Sequence, residues 1–264
     1  MSERHPDGQV TTETRGHLYL MGLDRAEKYN GLTPKMFQEL TAAYNELENN
    51  DDLRVGVLFA HGEHFTAGLD LPKFTEHMKK GERPYFKKGQ VDVYALRRRC
   101  SKPIVAAVHG ITYTAGIEMM LATDIVIAAS DCRFSQLEAR RGIMAAGGAT
   151  FRFVQRGGWG NAMYHLMTCD EFNAKEALRC GFVQEVVETG KQLDRAVELA
   201  EQIARMAPLA IRATKANAAR FLQDGEAACI GEFDDIQRRL SNTEDAAEGV
   251  RSFVERRDPE FQGR

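Results

Sequence analysis

The sequence predicts an α/β layered fold, and three observations carry that expectation. Short apolar runs at residues 55–60, 103–108 and 124–129 have the length and β-branched content of buried strands. The main strands each lead into a turn that opens a helix. From about residue 148 the composition shifts to helical periodicity, with one further strand predicted at 181–187. Strands alternating with helices imply a mostly parallel sheet, with ligand sites beyond the strand carboxyl ends.

Taken in order, residues 10–13 and 17–23 read as a hairpin. Thr33-Pro34 supplies an N-cap followed by proline at the first helical position. Met36, Phe37, Leu40, Tyr44 and Leu47 then recur at helical spacing until Asn49-Asn50-Asp51 stops the helix. Helices are predicted at 72–80 and 91–99, separated by a polar, glycine-containing loop at 79–89. The strand at 103–108 ends at His109-Gly110, and a helix bearing Glu118 follows. Residues 132–134 are a short fourth strand. Further helices are predicted at 160–167, 193–206, 209–223, 227–240 and 243–256. No internal repeat is evident.

The 264 residues suffice to bury a sizeable core, and 43% hydrophobic with 28% charged residues is an ordinary globular composition. A net charge of −3 argues against nucleic acid as a partner. The basic clusters Arg97-Arg98-Arg99 and Arg256-Arg257 read as solvated faces. No apolar run approaches the roughly 18–20 residues that span a bilayer, and the first residues lack a secretory apolar stretch. The five cysteines form no CxxC pair, which points to a reducing, cytoplasmic setting. No Cys/His spacing suggests a metal site, and neither a dinucleotide nor a P-loop motif is present.

Three segments carry chemistry. In Phe65-Thr-Ala-Gly-Leu-Asp-Leu71, the small residues Ala67 and Gly68 let a ligand approach the backbone, and the Leu69 amide follows. In Ala115-Gly116-Ile117-Glu118, an acid stands three residues into a helix start. Amide and carboxylate can then face one ligand, although a capping acid would look the same. In Phe134-Ser-Gln-Leu-Glu138, a second acid opens a short helical stretch near Arg140 and Arg141. His61 and His64 flank the first turn and read as exposed loop histidines.

In this order and spacing the three segments resemble the enoyl-CoA hydratase/isomerase, or crotonase, family. Leu23-Asp-Arg-Ala-Glu-Lys-Tyr-Asn-Gly-Leu32 resembles its first-helix approach, and residues 243–257 resemble its closing helix, so the likeness covers nearly the whole chain. The resemblance implies a crotonase spiral of ββα units over residues 1–200, containing the active site. Residues 201–264 would be a helical oligomerisation region that builds a homotrimer or a dimer of trimers. It implies that the Leu69 and Ala115 amides form an oxyanion hole for an acyl-CoA thioester, with Ala115 where the family commonly has glycine. Glu118 would hold and activate water, and Glu138 would donate the proton to Cα. Ala67, Gly68, Asp70 and Gly116 would line the substrate site, and Arg25, Lys28, Phe253 and Arg256 would approach the CoA. No metal or redox cofactor is implied.

Retention of both glutamates points to a hydratase adding water to a 2-enoyl-CoA. Dienoyl-CoA isomerases carry an aspartate where this chain has Ala146. The alternatives are an enoyl-CoA isomerase and a catalytically silent acyl-CoA binder. Residues 139–149 depart from the family's usual run, and Leu137 replaces its proline, which bears on the acyl pocket.

Overall fold

The computed structural model describes residues 5–83 and 87–264. The N-terminal half runs β1 (Gln9–Arg15), β2 (Leu18–Asp24), α1 (Pro34–Asn49), β3 (Val55–Ala60), α2 (Thr75–Lys79), β4 (Ile104–Val108), β5 (Ile111–Tyr113), α3 (Ala115–Ala122), β6 (Ile125–Ala129) and β7 (Arg133–Ser135). Then follow α4 (Ala149–Thr168), β8 (Phe172–Asn173), α5 (Ala174–Arg179), β9 (Glu185–Val187), α6 (Gln192–Ala204), α7 (Pro208–Asp224), α8 (Glu226–Ser241) and α9 (Glu244–Glu255).

Six strands form the main sheet in the order β1-β2-β3-β4-β6-β9, antiparallel only at β1–β2. Its apolar residues alternate between two cores, as the period of a strand requires. Leu18, Leu20, Val55, Val57, Val105 and Ala107 meet Ala196, Ala200 and Ala204 of α6 on one face. Met21, Leu23, Leu58, Ala106 and Val108 enter the larger core with Phe37, Leu40 and Leu47 of α1 on the other. Burial on both faces explains why these strands read as continuous apolar runs.

A small second sheet, β5-β7-β8, is reached from β4 through His109-Gly110. Gly110 has φ +54°, and a Cβ there would come within 2.2 Å of the Glu63 carbonyl oxygen. The isolated bridge Thr66–Thr112 ties the chain after β3 to this sheet, and Leu32–Leu69 ties it to the segment before α1. The turns leaving β3 and β5 therefore lie side by side.

Thr33 caps α1 as expected, its Oγ1 accepting the Met36 N–H at 3.2 Å. The helix expected at 91–99 is absent. Asp92 bends that stretch: its carboxylate accepts the Tyr94 N–H, its own N–H donates to Arg98 O, and Ala95 adopts φ +49°. Local side-chain bonding outcompetes the helix there. The expected 72–80 helix divides into a 3-10 turn (Leu71–Lys73) and α2. Three residues of the expected 79–89 loop, 84–86, lie outside the described residues. β5, β8 and α5 were not expected, being too short for periodicity to register. α4 is longer than expected and is kinked at Gly158.

Candidate active site

The first turn is held open from behind. Ala67 N–H donates to Tyr29 O, Gly68 N–H to Thr66 Oγ1 and Asp70 N–H to Leu32 O. The buried Thr66 hydroxyl in turn donates to Asn30 O at 2.7 Å. The Leu69 N–H is given no acceptor among the described residues. Gly68 sits at φ +101°, a conformation that favours glycine.

The second turn is Thr114-Ala115. Ala115 is the first residue of α3, so its N–H has no intrahelical partner, and none is supplied among the described residues. Thr114 adopts φ +49°, ψ −115°, a region costing a β-branched residue about 1–3 kcal/mol. The two turns touch: a Cβ on Gly68 would lie 1.9 Å from Thr114 Oγ1. Gly116 backs against Thr66, where a Cβ would lie 2.6 Å from Cγ2.

Ala67, Leu69, Thr114 and Ala115 line a cavity of about 450 Å³ that Glu118 and Glu138 also face. Glu118 is buried, and its Oε1 accepts the N–H groups of Gly147 at 2.6 Å and Ala149 at 3.2 Å. Burial nonetheless raises its pKa, these two bonds and Arg152 opposing. Glu138 stands at the start of a 3-10 turn (Ala139–Arg141). Burial, and secondly the Glu118 charge, push its pKa up to about 7. With its nitrogen turned toward Glu138, the Gln136 amide donates to both carboxylate oxygens at 2.9 and 3.2 Å. Leu71, Phe74, Ile143 and Met144 supply apolar wall, and the charged Glu82, Arg83 and Arg141 line the cavity as well.

Several residues were not singled out from sequence. Gly147 presents an amide to Glu118, and a Cβ there would lie 2.5 Å from Oε2. The buried Arg152 donates to Gly147 O and Tyr94 O, locking both to the cavity wall. The Gly147-Gly148 pair was the available signal. Arg152 and Gln136 gave none, because a lone arginine or glutamine reads as surface.

The other expected residues spread apart. Arg25 is buried, and its guanidinium donates to Pro6 O, Gly31 O and Asp70. Neither Arg25 nor Asp70 lines the cavity, so this pair braces the first turn. Lys28 is exposed, Phe253 is 84% exposed and Arg256 follows α9 at φ +56°. His61 and His64 are half-buried rather than exposed. His61 meets Thr11 Oγ1 at 2.7 Å, and His64 Nδ1 accepts the Ile111 N–H while its ring stacks on Tyr29. Away from the cavity, His165, Glu176 and Cys180 place ligand-type atoms within 4.8 Å of one another, a cluster no sequence spacing announced. Arg179 already donates to both Glu176 and Cys180 there.

The fold and cavity define an α/β protein in which two carboxylates, Glu118 and Glu138, face one cavity. The family profile of enoyl-CoA hydratase/isomerase matches residues 13–264, and the chain belongs to that family. It is 33% identical to enoyl-CoA hydratase EchA19 of Mycobacterium tuberculosis, over 99% of this chain and 98% of that protein. It is 31% identical to the short-chain-enoyl-CoA hydratase of Clostridium acetobutylicum, over 94% and 95%. Among solved structures, a "probable enoyl-CoA hydratase/isomerase" from Mycobacterium abscessus superposes with a TM-score of 0.94 at 42% identity, covering 97% and 98%. The fold is the crotonase fold.

Proposed function

We propose that the protein is an enoyl-CoA hydratase, adding water across the 2,3 double bond of a 2-enoyl-CoA to give a 3-hydroxyacyl-CoA. One observation carries this reading: two carboxylates and two unpartnered backbone N–H groups converge on one cavity.

The Leu69 and Ala115 N–H groups receive the thioester oxygen and stabilise the negative charge that develops there. Such a donor is worth roughly 2.7–4 kcal/mol of barrier. Glu118, aimed by Gly147 and Ala149, holds the water and takes its proton as oxygen bonds to Cβ. Glu138, whose pKa of about 7 keeps much of it protonated near neutrality, delivers a proton to Cα. Two like charges around one water are avoided because one carboxyl stays neutral. Each proton is handled by the chain's own groups, so the reading calls for no metal or redox cofactor.

Ala67 lines the surface on which the thioester would lie, whereas Gly68 and Gly116, expected there too, do not line the cavity and pack behind it against Thr114 and Thr66. Lys28, Phe253 and Arg256 would meet the CoA portion, although none of them lines the cavity, whereas Arg25 and Asp70 act behind the turn. The exposed apolar residues Phe221, Ile230, Phe233, Phe253 and Val254 on α7–α9 support assembly of copies into a trimer or a dimer of trimers. Five free cysteines, and no described helix long and apolar enough to cross a membrane, agree with a cytoplasmic setting.

The test is loss of the enone absorbance of crotonyl-CoA and longer 2-enoyl-CoAs, with product analysis. Turnover yielding 3-hydroxyacyl-CoA is expected. Conversion of 3-enoyl-CoA without incorporation of solvent oxygen would instead identify an isomerase. Tight binding with no turnover would identify a silent binder.

A further inference from the structure

The Thr114 side chain does nothing for the protein's own backbone. Although it occupies the N-cap position of α3, it makes no side-chain capping bond. No hydrogen bond is recorded for its hydroxyl among the described residues. That hydroxyl nevertheless lies against Gly68, where a Cβ would come within 1.9 Å of Oγ1, and Thr114 lines the cavity. Its neighbours in space are therefore the two turns whose Leu69 and Ala115 amides lack acceptors. A glycine would meet the backbone angles at φ +49° without strain, whereas a threonine meets them only against it. A hydroxyl held in that position at a cost to the fold, with no partner in the fold, has its partner in the ligand.

We propose that Thr114 Oγ1 is a third donor to the thioester carbonyl oxygen, beside the Leu69 and Ala115 N–H groups. The inference rests on the acyl-CoA reading of this cavity but not on hydration itself. The three donors have different origins. Two are backbone groups that any residue could supply, and the third depends on a hydroxyl at position 114. Ala115 and Thr114 are adjacent in sequence, so α3 contributes two of the three donors from one turn. The Gly68 contact fixes the hydroxyl beside the Leu69 peptide, since Gly68 has no side chain to hold it off.

The experiment compares Thr114→Val, Thr114→Ser and Thr114→Gly. Infrared difference spectra are taken with butyryl-CoA carrying carbon-13 at the thioester carbon, a saturated probe that cannot be hydrated. Donors to a carbonyl oxygen lower its stretching frequency. The wild type and Thr114→Ser should show the lowered band, and Thr114→Val should show it moved back up. With crotonyl-CoA, kcat/KM of Thr114→Val should fall about 10–100-fold, the loss typical of a hydrogen bond to a charged acceptor, and Thr114→Ser should recover most of it. Thr114→Gly should lose the same activity yet melt no lower than the wild type, because strain leaves with the side chain. An unshifted carbonyl band in Thr114→Val, or no lowered band in the wild type, overturns the proposal whatever the rates. A hydroxyl-dependent band in a wild type that does not hydrate crotonyl-CoA would sustain this third donor and remove the hydratase reading.

Discussion

Gly147 and Glu118 are fitted to one another. The Gly147 N–H donates to Oε1 at 2.6 Å, and a methyl group on Gly147 would stand 2.5 Å from Oε2. The carboxylate is thus gripped by the amide and pressed by the bare Cα of a single residue.

Gly147→Ala should therefore act on chemistry before stability. The added Cβ must displace the Glu118 carboxylate and crowd Tyr94, whose ring is 2.9 Å from the same point. A displacement of this size at a proton-handling group costs about 100-fold. Steady-state kinetics should show kcat falling with KM for crotonyl-CoA little changed. Full activity in this variant would show that Glu118 need not sit where Gly147 holds it.

Glu138→Gln keeps shape and removes the acidic carboxyl proton. A kcat drop of roughly 10²–10⁴-fold is expected, the usual contribution of general acid–base action. CoA-ester binding, followed by calorimetry, should be unchanged. An unaltered rate would remove Glu138 from the chemistry.

The pH dependence has a defined sign. Glu138 is raised from 4.5 to about 7, so the folded state favours its protonated form. In its proposed role of proton donor it is lost as pH rises through about 7, and kcat/KM should fall on that alkaline side. Glu118→Gln lowers the rate, but in its residual activity this limb should move to lower pH, since the Glu118 charge is the second cause of the shift after burial. The same shift makes a stability contribution that is full below the unfolded value near 4.5 and is lost as pH rises through about 7. Melting curves of Glu138→Gln should gain on the wild type between pH 5 and pH 8.

Arg25→Met tests a division of labour. The guanidinium bonds Asp70 at 2.9 Å and two backbone carbonyls while its side chain is 7% exposed. Breaking a buried pair by removing one partner costs about 3–5 kcal/mol, with the lower end expected because Asp70 is partly solvated. Urea denaturation should show this loss. A KM change for CoA esters without any loss of stability would return Arg25 to the ligand.

Phe253→Asp addresses assembly. The ring is 84% exposed on α9 beside Val254 at 73%. Sedimentation should find the wild type as a trimer or larger, and the variant shifted toward the monomer. A monomeric wild type would leave the apolar face unexplained.

Much of this was legible in the sequence for a physical reason. The strands are buried on both faces, so β3, β4 and β6 stand out as apolar runs. The Thr33-Pro34 cap marks α1 because capping is local chemistry. Glu118 and Glu138 were visible because each sits at a helix-type start after a recognisable turn. What escaped was non-local or side-chain driven. Asp92 folds 91–99 back on itself through bonds that apolar periodicity does not register. Arg152 reaches three carbonyls, one of them 58 residues away in sequence, and a single polar residue carries no periodic signal. Arg25 was read as a CoA contact from the resemblance of residues 23–32, and only the folded chain reveals that Asp70, 45 residues on, consumes it.

The Gly68–Thr114 contact also constrains how this chain can change over generations. Oγ1 occupies the space of an absent Cβ, and φ +101° would strain a side chain at position 68 even where that space is free. Replacement at 114 gives up one hydroxyl, whereas replacement at 68 meets both a clash and an unfavourable backbone. A library randomised at both positions should therefore vary at 114 and keep glycine at 68.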